Sequence, residues 1–301
     1  MKGLLKKENK MDVPLLSVCL LTYNHNKFIR QAIDGILMQK VNFTWELIIA
    51  DDFSTDGTRE IVIEYKQKYP DFIKLILQEK NVGAIQNFLD LLITPKFKYI
   101  AFLEGDDYWI DPLKLQKQVD FLEENPDYSL CFHDAIILWE DKSQPPKYFC
   151  SKDQKETPGI EDVINNWFIP SASMVFRKKH LMPLPDWFKN IYNEDWALHM
   201  ILANKKKIYY INEIMSIYRK NEGAFSGGIG KNTEFVNNKK IELLRFFNQH
   251  SNYAHKILIE KKTTSLIKDI REYKLKKKFP VIYHLLNPVK AFKKVIRKIA
   301  K

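Results

Sequence analysis

Four short, mostly apolar runs separated by segments of helical period constrain this chain more than any other feature. They are LSVCLLTY (16–23), WELIIA (45–50), IKLILQ (73–78) and KYIAFL (98–103). Runs of that length and character read as strands buried on both faces. Between them, Lys27 to Gln39, the face marked by Ile61, Val62, Tyr65 and Tyr69, and a stretch near Ala84 to Ile93 have helical spacing. The alternation predicts an α/β fold in which a mostly parallel sheet is flanked by helices. Further strands are expected at YSLCFHD (128–134), SASMVF (171–176) and KIYYI (207–211), with a helix over NEDWALHMILA (193–203) that Asn193 can cap. Glu140 to Pro158 is polar and reads as a loop or insertion. Helical patterns resume after Glu234 and run into the tail, with breaks at Pro280 and Pro288.

In sheets of this kind ligands sit beyond the carboxyl ends of the strands. Three polar clusters fall there: TYNHN (22–26), DDFSTDG (51–57) and EGDDYW (104–109). Each has two readings. The acids of EGDDYW can offer oxygen ligands to a divalent cation, or form a solvated loop in which Asp111 caps the helix that begins at Pro112. Asp51 and Asp52 can accept hydrogen bonds from a ribose or a base. Turn chemistry alone also accounts for the Ser, Asp and Gly that follow, with Asp56 as a cap. Glu194 and Asp195 can be ordinary helix-start carboxylates or can include a general base.

Other motifs fail. GAFSGGIGKNT (223–233) lacks the first Gly and the final Ser or Thr of a phosphate loop, and no GxGxxG follows a strand. His133 and His199 form no metal-ligand pair and read as structural. Cys19, Cys131 and Cys150 are odd in number and widely spaced, which argues against a disulfide framework or a cysteine zinc site and fits a reducing compartment.

Composition enters through charge. The formal net charge is +11 over 301 residues, but the stretch from Ile270 onward holds eleven Lys or Arg against the single acid Glu272. The other 269 residues are therefore close to neutral, unlike a nucleic-acid binder, which spreads basic groups over its folded surface. The first residues lack the apolar core of a signal peptide, and 18 consecutive apolar residues occur nowhere, so neither export by that route nor a membrane span is expected.

Taken in order, SVCLLTYNHNKFIRQAIDGILMQ, ELIIADDFSTDGT, NVGAIQNF, FLEGDDYW and NEDW resemble the elements of the family-two glycosyltransferases, inverting enzymes with the GT-A nucleotide-sugar fold. The resemblance covers about Leu15 to Arg219. It implies a catalytic domain over 15–230, with a donor half at about 15–110 and an acceptor half at about 111–230. Residues 1–14 would then be an extension and 231–301 a helical, basic region.

By the same resemblance Thr22, Tyr23 and Asn24 border the nucleotide, and Asp51 and Asp52 contact base and ribose. Asn81, Gly83 and Asn87 match the Asn-x-Gly element beside the donor. Glu104, Asp106, Asp107 and Trp109 belong to the Asp-x-Asp segment, with Glu104 standing where the family usually has Asp. Asp106 is the implied chief ligand of Mn²⁺ or Mg²⁺, and Asp195, with Glu194 as neighbour, the implied base. The implied activity is single transfer from a nucleotide-diphosphate sugar, UDP by default, to a glycan or lipid-linked acceptor in cell-surface polysaccharide or lipopolysaccharide synthesis. The processive Gln-x-x-Arg-Trp element is absent.

Tyr218, Arg219 and the glycine-rich 223–230 read either as a flap or as a surface turn. Val289, Phe292, Val295, Ile296 and Ile299 share a helical face among lysines, which suits an anionic membrane surface contacted through 271–301, at the cytoplasmic side. The rival expectations are a non-catalytic nucleotide-sugar binding protein and a basic nucleic-acid binder. A nucleotidyltransferase would need a phosphate loop after the first strand, where TYNHN stands.

Overall fold

The computed structural model describes residues 15–221 and 232–280, which fall into two compact units, one within each range. In the first, β1 (Leu16–Thr22), β2 (Trp45–Asp51), β3 (Ile73–Leu77) and β4 (Tyr99–Glu104) are joined by α1 (Ile29–Leu37), α2 (Thr58–Lys68) and α3 (Ala84–Ile93). Those four strands are parallel, in the order β3-β2-β1-β4. The side chains of β1, β2 and β4 are buried on both faces because the helices turn apolar stripes toward them, while the edge strand β3 leaves Lys74 and Leu77 exposed. In α1 the stripe is Ile29, Ala32, Ile33 and Ile36. In α2 it is Ile61, Val62 and Tyr65, while Tyr69 lies just past the helix end and is exposed.

The second half of this unit contains β5 (Tyr108–Trp109), α4 (Lys114–Glu124), β6 (Tyr128–Trp139), β7 (Lys147–Tyr148) and α5 (Ile160–Asn165). It continues with β8 (Val175–Arg177), α6 (Lys178–Leu181), α7 (Glu194–Lys205) and β9 (Lys207–Lys220). The sheet runs on as β4-β8-β6-β9-β5, with β7 beside β6, and here directions mix: β8 is antiparallel to β4 and β6, whereas β9 is parallel to β6. The expected strand over 171–176 is only β8, because Ser171–Ser173 forms a 3-10 turn. Helix α4 buries Leu115, Val119 and Leu122 as their spacing predicts.

The second unit consists, in its described residues, of α8 (Thr233–His250) and α9 (Lys256–Lys278). Asn232 caps α8 by accepting the Phe235 N–H, and Lys274 near the end of α9 pairs with Glu234 at the start of α8, as an antiparallel hairpin requires. The expected N-terminal extension (1–14), the glycine-rich segment (223–230) and the apolar face at 289–299 lie outside the described residues. No helix among the described residues is long and apolar enough to cross a membrane.

Candidate active site

Parallel register assembles the site. Thr22 pairs with Asp51 and Leu21 with Glu104, so the ends of β1, β2 and β4 lie level. Thr22 is buried, its hydroxyl 3.2 Å from His25 Nδ1. The β4 loop crosses directly above. A Cβ at Gly105 would lie 2.7 Å from both Thr22 Oγ1 and His25 Nδ1, so that crossing needs glycine. Tyr23 and Asn24 are exposed. Asn24 is left-handed (φ 54°), donates its N–H to Ser54 Oγ at 2.9 Å and accepts the Thr55 N–H at 3.0 Å. Phe53 is also left-handed (φ 62°), an uncommon conformation for a bulky residue, and its exposed ring lies 5.2 Å from the Arg59 guanidinium.

Protein groups answer the acids of the second cluster. Asp51 Oδ2 accepts from Arg59 Nε at 2.7 Å and from the Ser54 N–H at 3.2 Å, leaving its buried Oδ1 without a partner. Asp52 accepts the Val82 N–H at 2.7 Å on one oxygen and the Gly83 N–H at 3.0 Å on the other, which fixes the Asn-x-Gly loop. Burial pushes the Asp52 carboxyl up, these two amides oppose the shift, and Asp51 adds to it. Asn81 is exposed, its amide 3.4 Å from the Asp52 carbonyl. Asn87, expected to contact the donor, is buried. It donates to the Ala50 carbonyl and accepts from Gln78, so it ties α3 to the sheet and offers no surface to a ligand.

At the end of β4 the balance is different. Glu104 is half-buried and accepts the Ser171 hydroxyl at 3.2 Å. Its carboxyl is pushed up to about 8 by burial, then by the charges of Asp106, Glu194 and Asp195. Asp107 is buried, with Oδ1 bonded to the Arg219 N–H at 2.7 Å and Oδ2 without a partner. Burial, Asp106 and Glu104 hold its carboxyl well above the usual range. Asp106 accepts the Asn221 amide at 3.0 Å, and its carbonyl accepts Arg219 Nη1 at 2.9 Å.

Two expectations change here. Arg219 is no flap residue: it is buried, ion-paired to Glu140 at 2.6 Å, bonded to Gln31, and held between the rings of Phe28 and Tyr108. It therefore clamps the Asp106–Asp107 loop. Trp109 likewise does not face a substrate. Its indole is buried, donates to the Ala172 carbonyl at 2.8 Å and lies 4.1 Å from the buried Lys114 ammonium, so it is core. Asp111 does hold the turn into α4, through the Leu113 N–H and Lys117.

The first turn of α7 supplies the opposing wall. Glu194 is half-buried, and burial followed by the charge of Asp195 pushes its carboxyl up to about 8. Asn193 makes no side-chain cap. Instead Asp195 Oδ1 accepts the Trp196 N–H at 2.7 Å, and Asp195 Oδ2 accepts the Trp167 indole N–H at 2.5 Å. His199, one turn on, is buried and lowered to about 4, hence neutral, and His133 is also buried and neutral, in keeping with structural roles.

Glu104 thus joins the β4 acids to those of α7, and the upward shifts of Glu104, Asp107 and Glu194 record burial first and neighbouring negative charge second. A divalent cation fits this set of oxygen ligands and the unpartnered oxygen of Asp107. Among the described residues no three acids, histidines or cysteines converge into a ready-made metal cage. A separate cleft of about 850 Å³ beside Tyr148, Glu156 and Tyr210 contains none of these acids.

The sequence profile named "Glycosyl transferase family 2" matches residues 17–183, more than half of the chain. The chain belongs to that family. Among relatives, the uncharacterized protein Mb1547 of Mycobacterium bovis is 36% identical over 205 residues, 68% of this chain and 58% of its own length. This family-two chain thus spans little more than half the length of that relative. TuaG of Bacillus subtilis, named for teichuronic acid biosynthesis, is 29% identical over 238 residues, 77% of this chain and 90% of TuaG. Two solved structures share the fold. S. aureus TarS 1–349 has a TM-score of 0.62 at 16% identity, covering 92% of this chain and 78% of TarS. The mannosyltransferase PcManGT of Pyrobaculum calidifontis, solved with GDP-Man and Mn²⁺, has a TM-score of 0.60 at 14% identity, covering 94% and 81%. These are GT-A glycosyltransferases, so the expected fold is the observed one.

Several side chains at the site had no warning in the sequence. Trp167 and Ser171 stand in no motif, and Asn221 follows the last matched element. Arg59 and Phe53 sit inside DDFSTDGTR, where spacing alone could have paired an arginine at the start of α2 with Asp51.

Proposed function

We propose that the chain is a metal-dependent, inverting glycosyltransferase. It moves one sugar from a nucleotide-diphosphate donor to a hydroxyl of a glycan or lipid-linked acceptor, in the synthesis of a cell-surface polysaccharide. The observation that carries this reading is the gathering of acids in one site, where Glu104 lies within reach of the charges of Asp106, Glu194 and Asp195, and Asp107 within reach of those of Asp106 and Glu104. The name of TuaG supports the polysaccharide context. UDP-GlcNAc in TarS and GDP-Man in PcManGT support a nucleotide-sugar donor, and we take UDP first.

Asp106, with Asp107 behind it, is the group to hold Mn²⁺ or Mg²⁺. A divalent cation bound there supplies Lewis-acid stabilisation of the departing diphosphate. Tyr23, Asn24 and Asn81 border the nucleotide, and Asp51 and Asp52 lie toward base and ribose. Asp195 takes the proton from the acceptor hydroxyl. The freed oxygen then bonds to the anomeric carbon on the face opposite the diphosphate, the carbon–oxygen bond to phosphate breaks, and a nucleoside diphosphate leaves. One displacement inverts the centre. The basic region 271–301 rests on an anionic membrane surface at the cytoplasmic side, and flotation with acidic liposomes should weaken when the chain is cut at Arg271.

Thermal melts with UDP and GDP, with and without Mn²⁺, test the donor. The matching nucleotide raises the midpoint, and more so with the metal. Asp195→Asn should keep that shift and lose transfer by about two or more orders of magnitude. Undiminished turnover in this variant removes the assignment of the base.

A further inference from the structure

Trp167 sits between α5 and the turn at Ser171, and it is 43% exposed. A single exposed aromatic is ordinary on a protein surface. This one differs in where its polar edge goes, because the indole N–H donates to Asp195 Oδ2 at 2.5 Å. Trp196, by contrast, is buried with its N–H on the Val163 carbonyl. Trp167 therefore has its only donor satisfied by the proposed base while its ring face stays open to solvent.

The ring is also braced. Phe149 packs edge-on against it with centroids 5.1 Å apart, and Phe149 packs edge-on against Tyr218 at 5.3 Å. Tyr218 is held in turn by Lys220, whose Nζ is 3.1 Å from its hydroxyl. Trp167, Phe149 and Tyr218 form a continuous aromatic wall that begins at Asp195. A large rigid apolar face with few rotatable bonds, fixed beside a polar reacting group, is how protein sites hold flat, partly apolar ligands in one orientation.

We propose that the face of Trp167 is the platform for the acceptor, and that the acceptor's terminal unit is a pyranose ring. Such a ring presents C–H groups on its faces and hydroxyls around its rim. Stacked on the indole, it brings a rim hydroxyl to the carboxylate that the same indole holds. A hydroxyl at the end of a flexible lipid or polyol chain has no such face and gains little from the platform. This inference rests on the transferase reading above and narrows its acceptor.

The test measures nucleotide release with Mn²⁺ and a panel of UDP- and GDP-sugars. Methyl pyranosides of glucose, galactose and N-acetylglucosamine are compared with glycerol phosphate and farnesol as acceptors. The wild-type protein should respond to a pyranoside. Trp167→Ala should raise the KM for that pyranoside by about five- to tenfold, the scale of one aromatic contact. Trp167→Phe, which keeps a ring but loses the N–H, should hold the pyranoside KM within about threefold and lower kcat. In both variants the midpoint shift with nucleotide and Mn²⁺ should persist, which shows that fold and donor side are intact. An unchanged pyranoside KM in Trp167→Ala overturns the platform and leaves Trp167 as a positioning residue for Asp195. A wild-type response to glycerol phosphate or farnesol alone overturns the pyranose. Release from no donor with any acceptor overturns the transferase reading and this inference with it, so the failures are distinguishable.

Discussion

The acids at the end of β2 and those at the end of β4 sit at the same level of one sheet, yet they are neutralised differently. Asp51 has Arg59, and Asp52 has two backbone amides. Glu104, Asp107 and Glu194 each lie beside at least one other acid, with Lys220 and Arg219 as the cations near the β4 pair, and burial is the first cause that raises all three. A carboxylate whose partners come from its own fold shapes a loop. A group of carboxylates gathered beside one another can accept a positive species from outside. The same residue type thus shapes loops in one place and, on the proposed reading, serves the reaction in the other.

The sharpest break in this comparison comes from exchanging the two kinds of acid. Asp106→Asn should reduce transfer by about two or more orders of magnitude and abolish the Mn²⁺-dependent part of the nucleotide melt shift, with little loss of stability in the absence of ligand. If the variant keeps its metal response, the β4 acids are not the cation site. Asp52→Ala should do the reverse. It strands the Val82 and Gly83 amides, each costing about 1–3 kcal/mol if left unpaired, so denaturant melts should show a loss of about 2 kcal/mol or more. Equal stability would mean that the loop holds its shape without Asp52.

The smallest effect is a pH dependence. Glu194 binds its proton more tightly in the folded protein, with a pKa of about 8, than in the unfolded chain. Between the ordinary carboxylate range and about pH 8 the native state therefore holds more protons, and its stability falls as pH rises. His133 and His199 act in the opposite sense at acid pH, and Lys114, lowered to about 7, does so in alkali. The difference between Glu194→Gln and wild type isolates the carboxyl. In metal-free buffer the variant's advantage in melting midpoint should grow from pH 5 to pH 8. A flat difference would place Glu194 among ordinary surface acids.

The donor half was legible because each of its elements is local. Mostly apolar runs such as LSVCLLT and WELIIAD, alternating with helices whose stripes show directly, imply a parallel sheet covered on both faces. The acids at the strand ends were readable for the same reason, since strand length alone puts Asp51 and Glu104 at one edge. Burial was not readable. Trp109 and Asn87 lie within matched motifs and read like ligand contacts, but the packing of Ala172 and Lys114 around one, and of Ala50 and Gln78 around the other, makes them core. Arg219 reads in the sequence as part of a flap or a surface turn, because the rings and the acid that enclose it come from positions 28, 108 and 140.

By itself the sequence determined the alternation of the first four strands with three helices, the presence of acids beyond three of those strands and the near-neutral body with its basic end. All of these follow from periodicity and composition over a few neighbouring residues. Only the tertiary structure decided which acids have partners, which aromatic faces solvent beside Asp195 and which arginine grips the Asp106–Asp107 loop. Those outcomes depend on burial and on contacts between residues tens to hundreds of positions apart, and such distances leave no local pattern to read.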